Sequence, residues 1–585
     1  MQKMLKFEDY ISNLPDITFN NFAQLVDHHS KKYADKDIIL YRSGKQKEFT
    51  RWSYSRFGEE CRRVASGLYA AGLVKGDRVV LWAENRPEWM AVWMGTVIAG
   101  IYIVPVDFLS TEQECLNIIK ITNAKAFFYS SCKKDFAASL SSNGVSMPLS
   151  VCISPDDEDT SKNQGTEYDN FGKDAGKQNL PEVDSIAPDY PASIVFTSGT
   201  TGFAKGVTLS HKNIIANASA AIRILEPKET DVFIDVLPLH HTYATTCSFI
   251  APFAAGNPIV IVEKIVGKVV IDDIRDGGVT FLIGVPLLYD KVMAAIDAGY
   301  QKLSPVIRIP LDVLRKIALA QAKKGNPGFG QTVLKFIRKK AGLQSILIMV
   351  AGGGPLSVRT SDFFDSLGFN IVQGYGMSEN SPLITVNTPR HKNNESVGLP
   401  VSYTDVKIID PGADGNGEIA CKSPSVMLGY YENEEATKEV ITEDGYLLTG
   451  DLGYIDKKGF LFIKGRKKNL IVGSGGKNVY PEEIEANFSG SKIIAETLVV
   501  GRKTSGGEII YAVMVPNYDN IKEEHPGMEN DEKFIKELLK KEVEEANRSL
   551  PVFKKIGNFC IRKEPFEKNA QQKIKRFLYK SYENP

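Results

Sequence analysis

The side chains best suited to chemistry lie in the stretch TSGTTGFAKG, residues 197–206. Gly199, Gly202 and Gly206 permit left-handed backbone and close approach of a ligand to the main chain. Ser198, Thr200 and Thr201 offer hydroxyl donors, and Lys205 supplies one cation. A flexible, donor-rich loop with a single cation suits a polyphosphate. It is not a Walker A loop, because Gly206 follows Lys205 where a Ser or Thr would be needed for magnesium. Taken alone, an ordinary Gly/Ser/Thr surface turn remains the alternative.

Downstream stretches extend the pattern. SILIMVAGGGPLS (345–357) is an apolar strand running into Gly352, Gly353, Gly354 and Pro355, where a flat ligand can lie against backbone. NIVQGYGMSEN (370–380) is a second strand, followed by Gln373, Gly374, Tyr375, Gly376, Met377, Ser378 and Glu379. Tyr375, between two glycines, can present its ring for stacking on a base, and Glu379 can bind Mg²⁺ as a hard oxygen ligand. Asp451, at the end of a predicted strand, can accept the hydroxyls of a ribose; a turn aspartate beside Gly450 is its alternative. Arg466, in GRKK, can reach a ribose or a phosphate.

Together these stretches resemble the adenylate-forming superfamily of acyl-CoA synthetases, luciferases and peptide-synthetase adenylation domains. The most specific match runs from Gly465 to Glu485, and the resemblance spans about 20–580. Ala204 stands where the family usually has proline, and Ser378 where it often has threonine. The resemblance implies that Thr197, Ser198, Gly199, Thr201, Gly202, Lys205, Gly353, Gly354, Pro355, Gln373, Gly374, Tyr375, Gly376, Ser378, Asp451 and Arg466 bind nucleotide. It assigns Mg²⁺ to Thr200 and Glu379, orientation of the substrate carboxylate or the lysine loop to His241, and the catalytic lysine to Lys573. A solvated surface charge is the alternative for Lys573. Gln572 replaces the family's glycine, a variation associated with long-chain members. Lys468 would be the hinge of a small mobile domain, and Gly475 and Gly476 would move with it and help form a thiol channel. The implied substrates and cofactors are ATP, Mg²⁺, a long-chain fatty acid and CoA. An acyl-carrier-protein ligase, or a nucleotide-binding regulatory protein that has lost catalysis, would use the same residues.

These side chains need elements to hold them. Strand-like and helical runs alternate along the chain. Examples are the hairpin IILYRSGKQKEFTRWSY, a helix capped by Ser53, strand 77–82, helix 87–99, strand 101–105 and strand 124–129. That alternation predicts an α/β fold with a largely parallel sheet. Adding what the resemblance implies, the fold is a large N-terminal domain of several subdomains with mixed and parallel sheets, residues 1–467. A small mobile α+β domain, 468–585, follows. The polar run 155–185 predicts an exposed loop.

Val285, Pro286 and Tyr289 fit either an acyl tunnel or plain core packing. His240 reads as satisfying a turn. A metal role for His241 is not expected, because no suitably spaced ligand cluster accompanies it in the sequence. The segment 295–345 is basic and amphipathic, including Arg308, Arg315, Lys316 and Arg338. A solvated helix face is the common explanation. The segment resembles an insertion in long-chain fatty acyl-CoA synthetases, which implies weak peripheral contact with the inner face of a membrane.

Composition sets the outer bounds. At 585 residues, two or more domains are expected. Lys+Arg and Asp+Glu are both 71, which argues against a dedicated nucleic-acid binder. Seven scattered cysteines without a CxxC pair predict a reducing, cytoplasmic setting. The N-terminus lacks the apolar core of a secretory signal. The longest apolar run, 90–106, contains Gly95, Gly100 and Pro105 and predicts a buried helix followed by a strand rather than a membrane span.

Overall fold

The computed structural model describes residues 14–43, 46–154, 166–175, 180–197, 205–472, 477–488, 490–504, 507–568 and 574–579. Two large sheets organise the chain. The nine-stranded sheet has six parallel strands at its centre, in spatial order Asn370–Gly376, Ile348–Ala351, Phe281–Gly284, Phe233–Asp235, Ile259–Ile261 and Asp37–Tyr41. Antiparallel strands close both of its ends. In the eight-stranded sheet, Tyr102–Pro105, Arg78–Trp82, Ala126–Tyr129 and Leu149–Cys152 are parallel neighbours. The strands Pro191–Thr197 and Lys205–Ser210 form its antiparallel hairpin.

Helix Pro87–Ile98 fills the space between sheets and helices. All of its residues except Glu88 are buried, because it carries apolar side chains on every face. Trp89 and Trp93 are wholly enclosed, and the Trp93 ring meets Phe22 and Phe249 edge-on. Each such side chain contributes roughly 1.5–3 kcal/mol of burial free energy. The apolar run is therefore core, followed by a strand as expected. Among the described residues, no helix is long and apolar enough to cross a membrane.

Within the polar run 155–185, the described residues 166–175 are not a plain exposed loop. Thr166–Glu167 adds a strand to the edge of the eight-stranded sheet, and Tyr168 and Phe171 are buried. The Tyr168 hydroxyl donates to Glu60 at 2.9 Å, Arg63 lies over its ring, and the Phe171 ring meets Phe128 edge-on. Two aromatics suffice to pin a run whose composition reads as solvated.

A four-stranded antiparallel sheet follows, with strands Asp405–Ile409, Gly417–Lys422, Leu447–Ile455 and Leu461–Arg466. Beyond it, Ile494–Thr504, Gly507–Pro516 and Asn558–Ile561 form a three-stranded sheet covered by helix Glu532–Ser549. This last part has its own apolar cores, around Ile484, Ala512 and Leu539 on one face and Tyr511, Val513 and Phe566 on the other. The chain thus combines mixed and parallel sheets in a large N-terminal domain with a small α+β C-terminal domain.

Candidate active site

The parallel strands of the nine-stranded sheet end along one edge, and the turns after Phe233–Asp235, Phe281–Gly284, Ile348–Ala351 and Asn370–Gly376 gather there. In open α/β sheets, ligands bind at this carboxyl edge. Each of those four turns carries residues singled out above.

The hairpin that holds the glycine loop is well defined at its base. Thr197 pairs with Lys205 across the two strands, and Phe196 pairs with Gly206. Ser210 then caps helix His211–Leu225 in a capping box with Asn213. Ser198, Gly199, Thr200, Thr201 and Gly202 lie outside the described residues, as do Gly475, Gly476 and Lys573. At the base of the hairpin the Lys205 ammonium sits 4.8 Å from the centre of the Tyr430 ring. The Tyr430 hydroxyl donates to Glu379 Oε1 at 2.9 Å. Burial, and then the Glu379 carboxylate, hold that phenol above its ordinary pKa, so it stays a donor. The short strand Gly429–Tyr430 pairs with Lys205–Ser210, which fixes this contact. The sequence assigns Tyr430 no role, and the strand pairing reveals it.

A second cluster starts from strand Asn370–Gly376, which leads into the Glu379 turn. The Tyr375 hydroxyl donates to Asp451 Oδ2 at 2.6 Å, and Arg466 Nε donates to Asp451 Oδ1 at 2.8 Å. Asp451 and Arg466 face each other across adjacent strands. Asp451 lies inside its strand rather than at the end, because Leu447–Ile455 continues past it. Its carboxylate is buried, whereas the Arg466 side chain is half exposed. Burial and the neighbouring carboxylate push the Tyr375 phenol well up. A pre-set donor–acceptor–cation row of this kind can meet a polar ligand without reorganising.

The two glycine-rich turns divide their work. A side chain on Gly352 would stand 2.7 Å from the Tyr243 ring, so this glycine serves packing. Gly353, at φ +77°, and Pro355 are exposed, and Gly354 is half-buried beside Pro286. A side chain on Gly376 would meet the Pro382 carbonyl oxygen at 2.1 Å. Gln373 and Gly374 are buried in the strand, with Gln373 O accepting from Asn387 N at 2.8 Å. Ser378 Oγ lies 3.2 Å from Thr242 Oγ1, which ties the Glu379 turn to the turn carrying His241. Tyr289 is core: its hydroxyl lies 2.7 and 2.9 Å from the carbonyls of Leu282 and Val350. Val285 and Pro286, by contrast, are half-buried at the start of helix Pro286–Gln301.

The expected turn-satisfying role of His240 finds no hydrogen bond at its Nε2. The residue is buried, and that Nε2 lies 3.5 Å from Asp107 Oδ2. Asp107, His240 and His241 bring three ligand atoms within 4.8 Å of one another. The expectation that no ligand cluster accompanies His241 is corrected: the carboxylate arrives from the other sheet, far away in sequence. Burial raises the Asp107 pKa and lowers that of His240. Asn85 holds this turn in place, since its Nδ2 donates to Asp235 Oδ2 at 2.8 Å and its Oδ1 accepts from Leu239 N at 2.9 Å.

A model of AMP-binding enzymes matches residues 26–431, and one of the AMP-binding enzyme C-terminal domain matches 468–584. The chain belongs to the AMP-binding enzyme family. Among its relatives is the long-chain-fatty-acid–CoA ligase ACSBG2 of Xenopus laevis, 29% identical over 522 residues, covering 85% of this chain and 70% of that protein. ATP-bound MatB from Rhodopseudomonas palustris shares the fold, with a TM-score of 0.74 at 24% identity, over 96% of this chain and 99% of that one. So does o-succinylbenzoate coenzyme A synthetase (MenE) from Bacillus subtilis in complex with ATP and magnesium ion, with a TM-score of 0.70 at 22% identity, over 94% and 98% of the two chains.

In this AMP-binding enzyme the stretch 295–345 is mostly helical, with Pro305–Ala322 its longest helix. Leu311, Ala318 and Ala322 face inward. Val306, Ile309, Val313 and Ile317 form an outward stripe and are 83%, 62%, 54% and 41% exposed. Arg338 departs from the expected basic face. It is buried, donates to the carbonyl of Ile346 and lies over the Phe369 ring.

The small C-terminal part meets the four-stranded sheet through polar contacts. Lys464 pairs with Glu483 at 3.1 Å, and Tyr480 OH lies 3.3 Å from Asp414 Oδ2. Lys468 is exposed, in the short helical turn Lys467–Asn469.

Proposed function

We propose that the chain is an AMP-forming acid–thiol ligase that activates a long-chain fatty acid and passes the acyl group to CoA. The observation that carries this reading is the convergence of two clusters on one strand end. Lys205–Tyr430–Glu379 and Tyr375–Asp451–Arg466 are assembled from five separate stretches near the carboxyl edge of the sheet. The first suits phosphates, the second a nucleoside.

Glu379 fits Mg²⁺ as a hard oxygen donor. Its Oε1 accepts from Tyr430, and its Oε2 takes no hydrogen bond among the described residues. Thr200 would complete the set. Bound Mg²⁺ supplies neutralisation of phosphate charge. The 197–206 loop would hold the β- and γ-phosphates, with Thr197 and Lys205 anchoring its base. Tyr375 would stack on the base, Asp451 would accept the ribose hydroxyls, and Arg466 would orient the carboxylate of Asp451.

Two reactions follow. The fatty acid carboxylate attacks the α-phosphorus of ATP, and the bond to pyrophosphate breaks. Lys573 would bridge the carboxylate and α-phosphate oxygens as their negative charge gathers, while His241 orients the carboxylate. The small domain, 468–585, then turns about Lys468 and withdraws Lys573. The CoA thiol loses its proton and attacks the acyl carbonyl, and the bond to AMP breaks. The polar joint at Lys464–Glu483 and Tyr480–Asp414 supports such a swing, because contacts of this kind re-form readily in water. Long-chain specificity is supported by the resemblance to ACSBG2 and by the outward apolar stripe 306–317, flanked by Lys302, Arg308 and Lys316. That stripe would rest on an anionic membrane surface where such acids reside.

The test is ATP-to-AMP turnover with palmitate, benzoate and acetate, each with and without CoA. AMP formation with palmitate that requires CoA is the expected result. Turnover with palmitate but no CoA requirement would point to a carrier-protein thiol, and silence with all three acids would overturn the reading.

A further inference from the structure

We propose that Asp107, His240 and His241 form a binding site for a borderline divalent cation of the Zn²⁺ class, separate from the magnesium position at Glu379. Three donor atoms lie within 4.8 Å of one another, and Asp107 Oδ2 stands 3.5 Å from His240 Nε2. Metal–ligand bonds of about 2.0–2.2 Å place tetrahedral donors about 3.4 Å apart, so only small side-chain rotations close the set.

The donors are held by a surrounding layer of hydrogen bonds. Trp82 Nε1 donates to the Asp107 carbonyl at 2.8 Å, and Leu109 N donates to Asp107 Oδ1 at 2.9 Å. These leave Asp107 Oδ2 turned toward His240. Asn85 clamps the histidine turn through Leu237 O and Leu239 N. Outer partners of this kind orient ligands and raise affinity. His240 is buried, and its Nε2 has no hydrogen bond, an arrangement that a coordinated cation would satisfy. Two imidazoles and one carboxylate favour Zn²⁺ or Co²⁺ over Mg²⁺, which prefers all-oxygen ligands.

The site lies between the two large sheets. Asp107 follows strand Tyr102–Pro105 of one sheet, and the histidines follow strand Phe233–Asp235 of the other. A cation there would draw the His241 ring away from the acyl carboxylate and silence the enzyme; this consequence rests on the proposed ligase reading, whereas the binding does not.

The experiment uses the full chain, stripped with a chelator and titrated with Co²⁺ in excess Mg²⁺, read by visible d–d absorption. One Co²⁺ per chain with the intense bands of a four- or five-coordinate site is expected, displaced stoichiometrically by Zn²⁺. His240→Ala and Asp107→Asn should each weaken binding at least tenfold. Cys132→Ser, which removes an exposed thiol, should leave it unchanged. Asp107→Asn keeps the side-chain shape, so it remains informative where His240→Ala fails to fold. Absorption no stronger than that of aqueous Co²⁺, or bands unmoved by both variants, would overturn the proposal. Zn²⁺ should also inhibit turnover of the wild type at least tenfold more strongly than that of Asp107→Asn.

Discussion

The body of the protein and its C-terminal part are held by different forces. Between the large sheets the contacts are apolar and enclosed: Phe249, Trp93, Phe57 and Phe22 pack ring against ring with no exposure beyond 1%. At the joint with the C-terminal part, one ion pair, Lys464 with Glu483, and one hydrogen bond, Tyr480 with Asp414, span the boundary, and both partners of the ion pair are partly exposed. An apolar core has one good arrangement, because every gap loses contacts. A solvated ion pair gives up little when it parts. The difference teaches where this molecule is free to move. Under the proposed mechanism the Lys205–Tyr430–Glu379 and Tyr375–Asp451–Arg466 clusters would hold the nucleotide on the rigid side, and Lys573 would belong to the side that turns.

That contrast can be broken most forcefully in the core. Phe249→Ala should cost about 3–5 kcal/mol of stability, read as a shift in the urea midpoint of the body's unfolding transition. A loss below about 1 kcal/mol would mean that the sheets are not locked together as described.

Acid should act on the body next. Burial lowers His29 to a pKa of about 4 and His211 to about 3. His211 Nδ1 accepts from Phe22 N at 3.2 Å, which requires the neutral ring. Both folded values lie below the unfolded value, so the stability is present above about pH 6.5 and is lost as pH falls toward 4 and 3. At pH 5 each histidine should cost about 2 kcal/mol relative to pH 7. Denaturant melts at the two pH values test this, and His211→Gln should flatten the dependence.

Within the site, Asp451→Ala removes the acceptor for both Tyr375 and Arg466. We expect the KM for ATP to rise about 10–150-fold, the range for hydrogen bonds to a charged group, with little change in the KM for CoA. A variant with an unchanged KM for ATP would detach this cluster from nucleotide binding. The smallest effect belongs to the joint. Lys464→Ala, which removes the ion pair with Glu483, should change stability by no more than about 1 kcal/mol, while altering the ratio of adenylation to thiolation rates. Equal loss of both rates would sharpen the contrast differently, by making Lys464 part of the site itself.

Much of this was legible in the chain, for identifiable reasons. Elements with short-range signals were read correctly. Ser53 caps Tyr54–Ala70, and the apolar run after residue 86 is a helix, Pro87–Ile98, followed by the strand Tyr102–Pro105. The glycine turns were visible because they follow apolar strands, and those strands deliver Gly353, Tyr375 and Glu379 to one edge. Contacts between distant stretches were not visible. Tyr430 reaches Glu379 only because its two-residue strand pairs with Lys205–Ser210. Asp107 reaches His240 from the other sheet, so sequence spacing hid a cluster that geometry shows. Tyr168 and Phe171 were lost in polar surroundings, since composition averages over the two side chains that anchor the run. Arg338 was counted with its charged neighbours, although its helix turns it inward onto the Phe369 ring.

The central claim is that one site performs two reactions and that Lys573 serves only the first. The direct measurement compares the two half-reactions in Lys573→Ala. Pyrophosphate exchange with palmitate reports adenylation, and acyl-CoA formation from supplied palmitoyl-adenylate reports thiolation. The account predicts that exchange is abolished while thiolation proceeds at close to the wild-type rate. Exchange that survives the substitution, or thiolation lost together with it, would contradict the account.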